Sequence, residues 1–483
     1  MTDKGSIDQQ NVEQNVRDYL IEEVPGIENA MKYGLEEMEI TFRDAEFEYA
    51  QLQNWRLEIN ESVLEIEGVT FISVSQSNNS IRVGIKDEQF EDRIYELAND
   101  YGIPEDAIKI SVTGVISKDA GTESLQGDDI LRDKYRPLVG GLEISVYKNE
   151  FGNCTFSFNA YKLDQRSWLT NSHCTRERWT VYSDDDYYQS SDLDGSDAYI
   201  GSEFQDPEGE SCGWWTSRKC RYADAALLTL SQDQSSDFGK IARTEYGAAP
   251  GEGSGSIVID DAEPRFEIVE ERNDSDFFEG LIVSKVGRTS GWTYGGITET
   301  CADVNHSDDD IGDFRYECQE LAQYYSSGGD SGSPVFTELN APHTDVSLNG
   351  IHWGRFTEGD DERIFSRISG VQQDLGNLTF VSGEEPSLSV NISGPGFIDE
   401  SDTYIWEAET EHEQGSVSYQ WSIKWEDDPA WQDLGTNQAQ SVNVNDEEDF
   451  ILQVEVEDDN NSDNAYRDVV VQFECEPDEP CQD

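Results

Sequence analysis

The chain has 483 residues, enough for two or three separate hydrophobic cores rather than one small domain. Its 102 Asp and Glu against 33 Lys and Arg give a formal net charge of -69, which excludes a simple nucleic-acid binder, because phosphate contacts need clustered cations. Its 11 Trp, 21 Tyr and 20 Phe, set in periodic apolar runs, argue against wholesale disorder, so the charge reads as a hydrated surface suited to high salt, which screens self-repulsion.

From Ile27 to about Leu64 the apolar positions Ile27, Met31, Leu35 and Met38 recur at helical spacing, with Phe42, Phe47, Leu52 and Trp55 beyond, and predict one or two amphipathic helices. Val69–Val74 and Ile81–Ile85 flank the turn Ser77-Asn78-Asn79 and predict a hairpin. Asp87 is placed to cap a helix whose apolar face is Phe90, Ile94, Leu97 and Tyr101, and Gly102 with Pro104 stops it. Ala107–Ile116 reads as a last strand. The result is a compact β-β-α-β unit at about 65–117, followed by a polar connector over Ser117–Lys134. From Val139 to about Phe380 short strands separated by Gly, Asp and Ser loops predict an all-β barrel or sandwich, with a short closing helix over Ser369–Leu375. After Ser382–Pro386, the alternation in Leu388-Val390-Ile392, Trp421-Ile423-Trp425 and Leu452-Val454-Val456 predicts a β-sandwich over 386–483. Its general look is similar to the immunoglobulin-like or polycystic-kidney-disease-type (PKD-like) modules appended to exported bacterial enzymes.

Eight cysteines fall as four local pairs, Cys154 and Cys174, Cys212 and Cys220, Cys301 and Cys318, Cys475 and Cys481. An even count at short spacing reads as disulfides made outside the cytoplasm. Zinc fits less well, since no pair has the tight gap of a zinc knuckle and the chain holds only five His. No run approaches the roughly 20 apolar residues of a membrane span. Met1–Gln10 lacks the basic and apolar regions of a secretory leader, which stands against the disulfide reading. A leader upstream, a leader already removed and another export route are the alternatives, and the expected location is secreted or extracellular.

The chemistry lies in two motifs, Thr170-Asn171-Ser172-His173-Cys174 and Gly328-Gly329-Asp330-Ser331-Gly332-Ser333-Pro334. A nucleophilic serine needs a base to take its proton and a buried carboxylate to orient that base. A glycine-rich turn lets backbone N–H groups converge on an oxyanion, here those of Gly329 and Ser331. Between the motifs, Tyr222-Ala223-Asp224-Ala225-Ala226-Leu227-Leu228 carries an aspartate 51 residues after His173 and 107 before Ser331. Over about Leu138–Phe380 the chain resembles the chymotrypsin-like, or trypsin-like, serine peptidases, especially the bacterial secreted branch that includes streptogrisins and alpha-lytic protease. The family order is His, Asp, Ser, in the motifs Thr-Ala-Ala-His-Cys, Asp-x-Ala-Leu and Gly-Asp-Ser-Gly-Gly-Pro. The resemblance therefore implies a double β-barrel, His173 as base, Asp224 as orienting group, Ser331 as nucleophile and a Cys154–Cys174 bridge. Ser333 in place of glycine and Asn171 in place of alanine depart from the pattern without removing a reacting group.

The resemblance implies more around this centre. Val283-Ser284-Lys285-Val286-Gly287-Arg288-Thr289-Ser290-Gly291-Trp292 is similar to a bacterial-branch segment whose arginine pairs with the aspartate before the nucleophile, so an Arg288–Asp330 ion pair is expected. Asn349-Gly350-Ile351-His352-Trp353-Gly354 resembles the family's substrate-pairing Ser-Trp-Gly strand, with His352 at the serine position. His352, Trp353 and Gly354 are thus substrate-binding candidates. The hydrogen-bonding reading of His352 is preferred to a catalytic one, since His173 already fills the base role. Tyr325 stands where trypsin has its selecting aspartate, which points to a neutral or aromatic side chain before the scissile bond. The β-β-α-β unit is similar to the propeptides of that branch, and Leu138-Val139-Gly140-Gly141 resembles the mature N-terminus. The implied organisation is a propeptide over 1–137 acting as intramolecular inhibitor, a peptidase over 138–382 and the sandwich over 386–483, with cleavage between Lys118 and Leu138.

Expected substrates are proteins or peptides, with no cofactor and no metal. The acidic segments Asp184-Asp185-Asp186 and Asp192–Asp197 read as solvated surface rather than a calcium loop, since EF-hand spacing is absent. Trp214-Trp215 reads as packing inside the Cys212–Cys220 loop rather than a binding platform. An esterase of the α/β-hydrolase type would need Gly-x-Ser-x-Gly, which fails at Ser333, and the opposite chain order. An inactive peptidase-fold adhesion or binding protein is the alternative.

Overall fold

In the computed structural model the described residues are 45–119, 130–146, 153–162, 165–181, 186–189, 198–212, 218–231, 234–308, 311–339, 344–359, 361–380, 389–398, 401–411, 417–425, 430–445, 449–457 and 462–471. The helical reading of Ile27–Phe42, the pair Trp214-Trp215, Asp184-Asp185, Asp192–Asp197 and the Cys475–Cys481 pair lie outside them. The chain is mainly β and divides into two compact units, one formed by Met1–Lys162 and Arg166–Ser382, the other by Leu163–Gln165 and Gly383–Asp483.

In the first unit, helix α1 (Tyr49–Leu64) is followed by the antiparallel hairpin β1 (Val69–Ser75) and β2 (Ser80–Ile85). Asp87 Oδ1 accepts from the Gln89 backbone N–H at 3.1 Å, capping a 3-10 turn that runs into α2 (Glu91–Asp100). The strand expected over Ala107–Ile116 is two strands, β3 (Ile108–Val112) and β4 (Ile116–Lys118). Gly114 breaks it, because its φ of 66° is a left-handed conformation that ends pairing with β2. Leu52, Ile59, Val63 and Ile94 from the helices bury against Ile72, Val74, Ile81 and Val83. The edge of this layer is not free. β1 pairs antiparallel with the long strand Gly291–Asp308, setting Phe71 opposite Val304 and Ile72 opposite Asp303. The N-terminal layer is therefore the end of a 15-stranded sheet that also holds Ile282–Gly287, Pro334–Glu338 and Asp345–Phe356.

A second sheet of seven strands includes Gln165–Thr170 and Ala226–Thr229, paired antiparallel with Ala226 opposite Thr170. Its inner face and the large sheet share one core, in which Phe156 stacks on Trp168 at 4.8 Å and Leu169, Leu227, Val286, Phe336 and Ile351 are fully buried. The closing helix is Ile368–Leu375, one residue longer than read from the sequence.

The second unit consists of a three-stranded and a five-stranded sheet. Strict alternation in Phe450–Glu457 sends Phe450, Leu452, Val454 and Val456 inward, against Trp406 and Trp421.

Candidate active site

Strand register brings the first two groups together. Because Ala226 faces Thr170, the residues just outside this pair, Asp224 and the 3-10 turn Ser172–Cys174, are neighbours. His173 Nδ1 lies 2.7 Å from Asp224 Oδ2, and the His173 backbone N–H donates to Asp224 Oδ1 at 3.1 Å. The turn is braced on three sides. Cys174 is bonded to Cys154, Asn171 Nδ2 donates to the Asp224 carbonyl at 2.6 Å, and Ser172 Oγ donates to buried Asp206, itself paired with Arg221 at 2.7 Å.

His173 Nε2 lies 2.7 Å from Ser331 Oγ, so one line of hydrogen bonds joins Asp224, His173 and Ser331, with the side chains of His173 and Asp224 each 1 % exposed and Ser331 fully buried. Burial alone would raise the Asp224 carboxyl, but the His173 ring and its hydrogen bonds, with Arg178 nearby, hold it well below the usual carboxylate range. Burial pushes His173 below its ordinary value of 6.5, against the opposing pull of Asp224. Both shifts favour a carboxylate beside a neutral imidazole, an arrangement that can take up a proton at the Nε2 facing Ser331 Oγ.

The Ser331 loop is shaped by glycine where the chain turns against its neighbours. Gly332 has φ 89°, and a Cβ there would meet the Thr155 carbonyl oxygen at 2.3 Å. Gly329 has φ 102°, which aims its N–H into the same space as that of Ser331. Thr155 clamps the loop from the disulfide-bearing strand, donating its backbone N–H to the Ser331 carbonyl at 2.7 Å and its hydroxyl to the Gly329 carbonyl at 2.9 Å.

Asp330 is fully buried, and its partner is Lys285, not Arg288. Lys285 Nζ lies 3.0 Å from Asp330 Oδ2, whereas the Arg288 guanidinium is bonded to Glu143. The reason is register. Lys285 sits inside strand Ile282–Gly287 opposite Val335, the second residue of the strand that leaves the serine loop, so its side chain lies beneath that loop. Arg288 follows the strand end, and its guanidinium is taken by Glu143. Asp330 also accepts from the backbone N–H groups of Thr289, Ser290 and Ser327 at 2.9–3.1 Å and from Ser290 Oγ at 2.5 Å. Burial opposes ionisation of Asp330, yet Lys285 and these donors hold its carboxyl down to about 2. The charge that rigidifies the loop is internal to the strand and needs no inserted chain terminus.

A segment of the chain itself lies across this centre. β4 pairs antiparallel with Asp345–Phe356, with Lys118 opposite Gly354 and Ser117 opposite Arg355. The next residue, Asp119, points its carbonyl oxygen at the N–H groups of Gly329 and Ser331, the latter at 3.3 Å. Its carboxylate is buried and bonded to His352 Nε2 at 2.9 Å, to Ser326 Oγ and to Arg355 Nη1. Burial would raise this carboxyl, but His352 and Arg355 hold it below the usual range.

The candidates singled out on the strand Asp345–Phe356 therefore separate. Gly354 pairs with β4, and His352 is bonded to the Asp119 side chain without touching Ser331's hydrogen-bond line. Trp353 points away into a core with Tyr316 and donates its indole N–H to Gln319 at 2.9 Å. Tyr325 stacks near the Arg363 guanidinium, while its neighbours Tyr324 and Ser326 face the Asp119 carboxylate and its histidine. Cys212–Cys220 and Cys301–Cys318 are also bonded, the latter closing adjacent strands with Cα atoms 3.7 Å apart. Among the described residues the one cluster with metal-ligand geometry is Cys154, His173 and Cys174, whose sulfurs are already joined in a disulfide and offer no thiolate.

Lys285, Thr155, Tyr324 and Arg355 are site residues that the motif reading misses. Only Lys285 leaves a trace, as a cation in the interior of a strand whose Val283 and Val286 are fully buried, where a charge needs a buried partner. Compared with protein families and with curated proteins, the chain matches no family model and no curated protein.

Proposed function

We propose that the chain is a serine endopeptidase of chymotrypsin-like double-barrel architecture, secreted and made as a zymogen whose N-terminal part fills its own cleft. The observation that carries this reading is the unbroken line Asp224–His173–Ser331 ending beside a carbonyl oxygen held by two backbone N–H groups. In the proposed reaction Ser331 Oγ attacks the substrate carbonyl carbon as its proton passes to His173 Nε2. Asp224 keeps Nδ1–H in place and balances the imidazolium charge, while Gly329 and Ser331 N–H groups receive the oxyanion. His173 then delivers its proton to the leaving amine. Water, deprotonated by His173 in turn, releases the acyl group.

The alternative of an inert binding protein predicts a serine without special reactivity. The test is exposure of the processed protein to a fluorophosphonate. One adduct per chain at Ser331, lost in His173→Ala, is the expected result, and a folded protein that takes no label would replace the peptidase reading with the binding one.

The pH dependence follows from His173. Its neutral form is the base, and burial lowers its pKa below 6.5, so the neutral form persists to lower pH than in an exposed imidazole. The profile of kcat/KM should therefore hold above pH 6.5 and fall only as pH drops through a midpoint below that value. A midpoint above 6.5 would contradict this.

A further inference from the structure

Resting on the peptidase reading, we propose that the primary specificity pocket takes an acidic side chain, and that Asp119–Ala120 is the bond by which the protein releases its own N-terminal part. Asp119 is laid out as the residue before a scissile bond. Its carbonyl oxygen faces the Gly329 and Ser331 N–H groups, and the strand preceding it pairs with Asp345–Phe356 as an extended substrate would.

The side chain gives the chemistry of the pocket. Three donors from two segments, Ser326 Oγ from the loop before Ser331 and His352 Nε2 and Arg355 Nη1 from the strand Asp345–Phe356, converge on the two carboxylate oxygens. Tyr324 sits at the other ring nitrogen of the histidine. Its hydroxyl lies 3.1 Å from His352 Nδ1, so with the Tyr324 O–H donating to Nδ1 the ring is neutral and presents Nε2–H to the carboxylate. Burial acts in the same direction, pushing His352 below its ordinary value. The carboxylate charge is then matched by Arg355, whose side chain is 30 % exposed at the mouth, while the inner wall supplies neutral donors. An apolar side chain would strand these buried donors without partners, and a lysine would meet Arg355. A site built to hydrogen-bond one group rejects analogues lacking it by factors of up to about 10⁴–10⁵. This replaces the neutral or aromatic preference read from Tyr325, whose ring lies against Arg363 instead.

The step balances with water alone. The Asp119 carbonyl carbon forms a bond to Ser331 Oγ, whose proton moves to His173. The bond to the Ala120 nitrogen breaks as that proton is delivered to it. Water then donates hydroxide to the acyl carbon and a proton through His173 to Ser331 Oγ, leaving Asp119 as a C-terminal residue.

The experiment uses the full chain in high salt, with peptides that differ only in Glu, Asp, Phe or Lys before the scissile bond, and mass spectrometry of the released fragment. The expected result is a kcat/KM for Glu or Asp at least about 100-fold above Phe and Lys, with a wild-type fragment ending at Asp119. Arg355→Gln, at a partly exposed position, should shrink the acid-to-Phe ratio by about 10–100-fold, and Arg355→Lys should restore part of it. Equal or better cleavage after Phe or Lys by a protein that takes the fluorophosphonate label overturns the pocket and leaves the peptidase reading standing. A released fragment ending elsewhere overturns the assignment of the bond. A folded protein with no label removes both.

Discussion

Ser331→Ala should abolish peptide hydrolysis, lowering kcat by a factor on the order of 10⁶, as expected when the nucleophile of such a unit is removed. The fold should survive. Among the described residues the lost hydroxyl bonds only His173 Nε2, while the backbone N–H and carbonyl of residue 331, which tie the loop to Asp119 and Thr155, are untouched. His173→Ala should cost a similar factor, and the double variant should be little worse than either alone, because the two act as one unit. Rates measured on casein fragments check this. Additive losses would show that Ser331 and His173 do not act in one proton-transfer line. Ser331→Ala should also keep the chain intact through the Asp119–Ala120 bond.

Lys285→Met should destabilise the protein by about 3–5 kcal/mol, the usual cost of leaving one member of a buried ion pair alone. Lys285 and Asp330 are both fully buried, so salt screens the pair little and the loss should persist in high salt. Asp330 is held down to about 2 in the fold, below its ordinary 3.8, so its contribution is present above about pH 4 and fades as pH falls towards 2. In Lys285→Met that acid-side slope should flatten. The double variant Lys285→Met/Asp330→Asn should recover most of the stability, since it removes both charges together. A double-mutant cycle read from denaturant midpoints separates this pair from the one implied by resemblance: strong coupling is expected between Lys285 and Asp330, and weak coupling between Arg288 and Asp330. The reverse order would contradict the assignment.

Local chemistry made much of this architecture readable in advance. The hairpin Val69–Ile85, the Asp87 cap and the alternation of Leu452-Val454-Val456 are short-range signals, and the elements formed there differ from the reading by a residue or so. His173, Asp224 and Ser331 stand in recognisable motifs, and the structure brings their side chains into one hydrogen-bond line. What remained hidden depends on register and tertiary direction. Whether Lys285 or Arg288 reaches Asp330 is decided by which strand position faces Val335, and two cations three residues apart look equivalent until that pairing is known. Asp119 is one acidic residue among 102 Asp and Glu, inside a stretch read as a polar connector. Only the pairing of β4 with Gly354–Phe356 singles it out. Likewise Tyr324 and Tyr325 are adjacent tyrosines just past the strand Gly312–Ala322, and only the folded chain shows that the first meets His352 and the second Arg363.

The most direct test of the peptidase reading is casein hydrolysis by the purified full chain in high salt, with the chain followed by mass spectrometry. The account predicts that the wild type sheds its N-terminal part and digests casein, while Ser331→Ala does neither. A folded, fully processed wild type that leaves casein intact would contradict it.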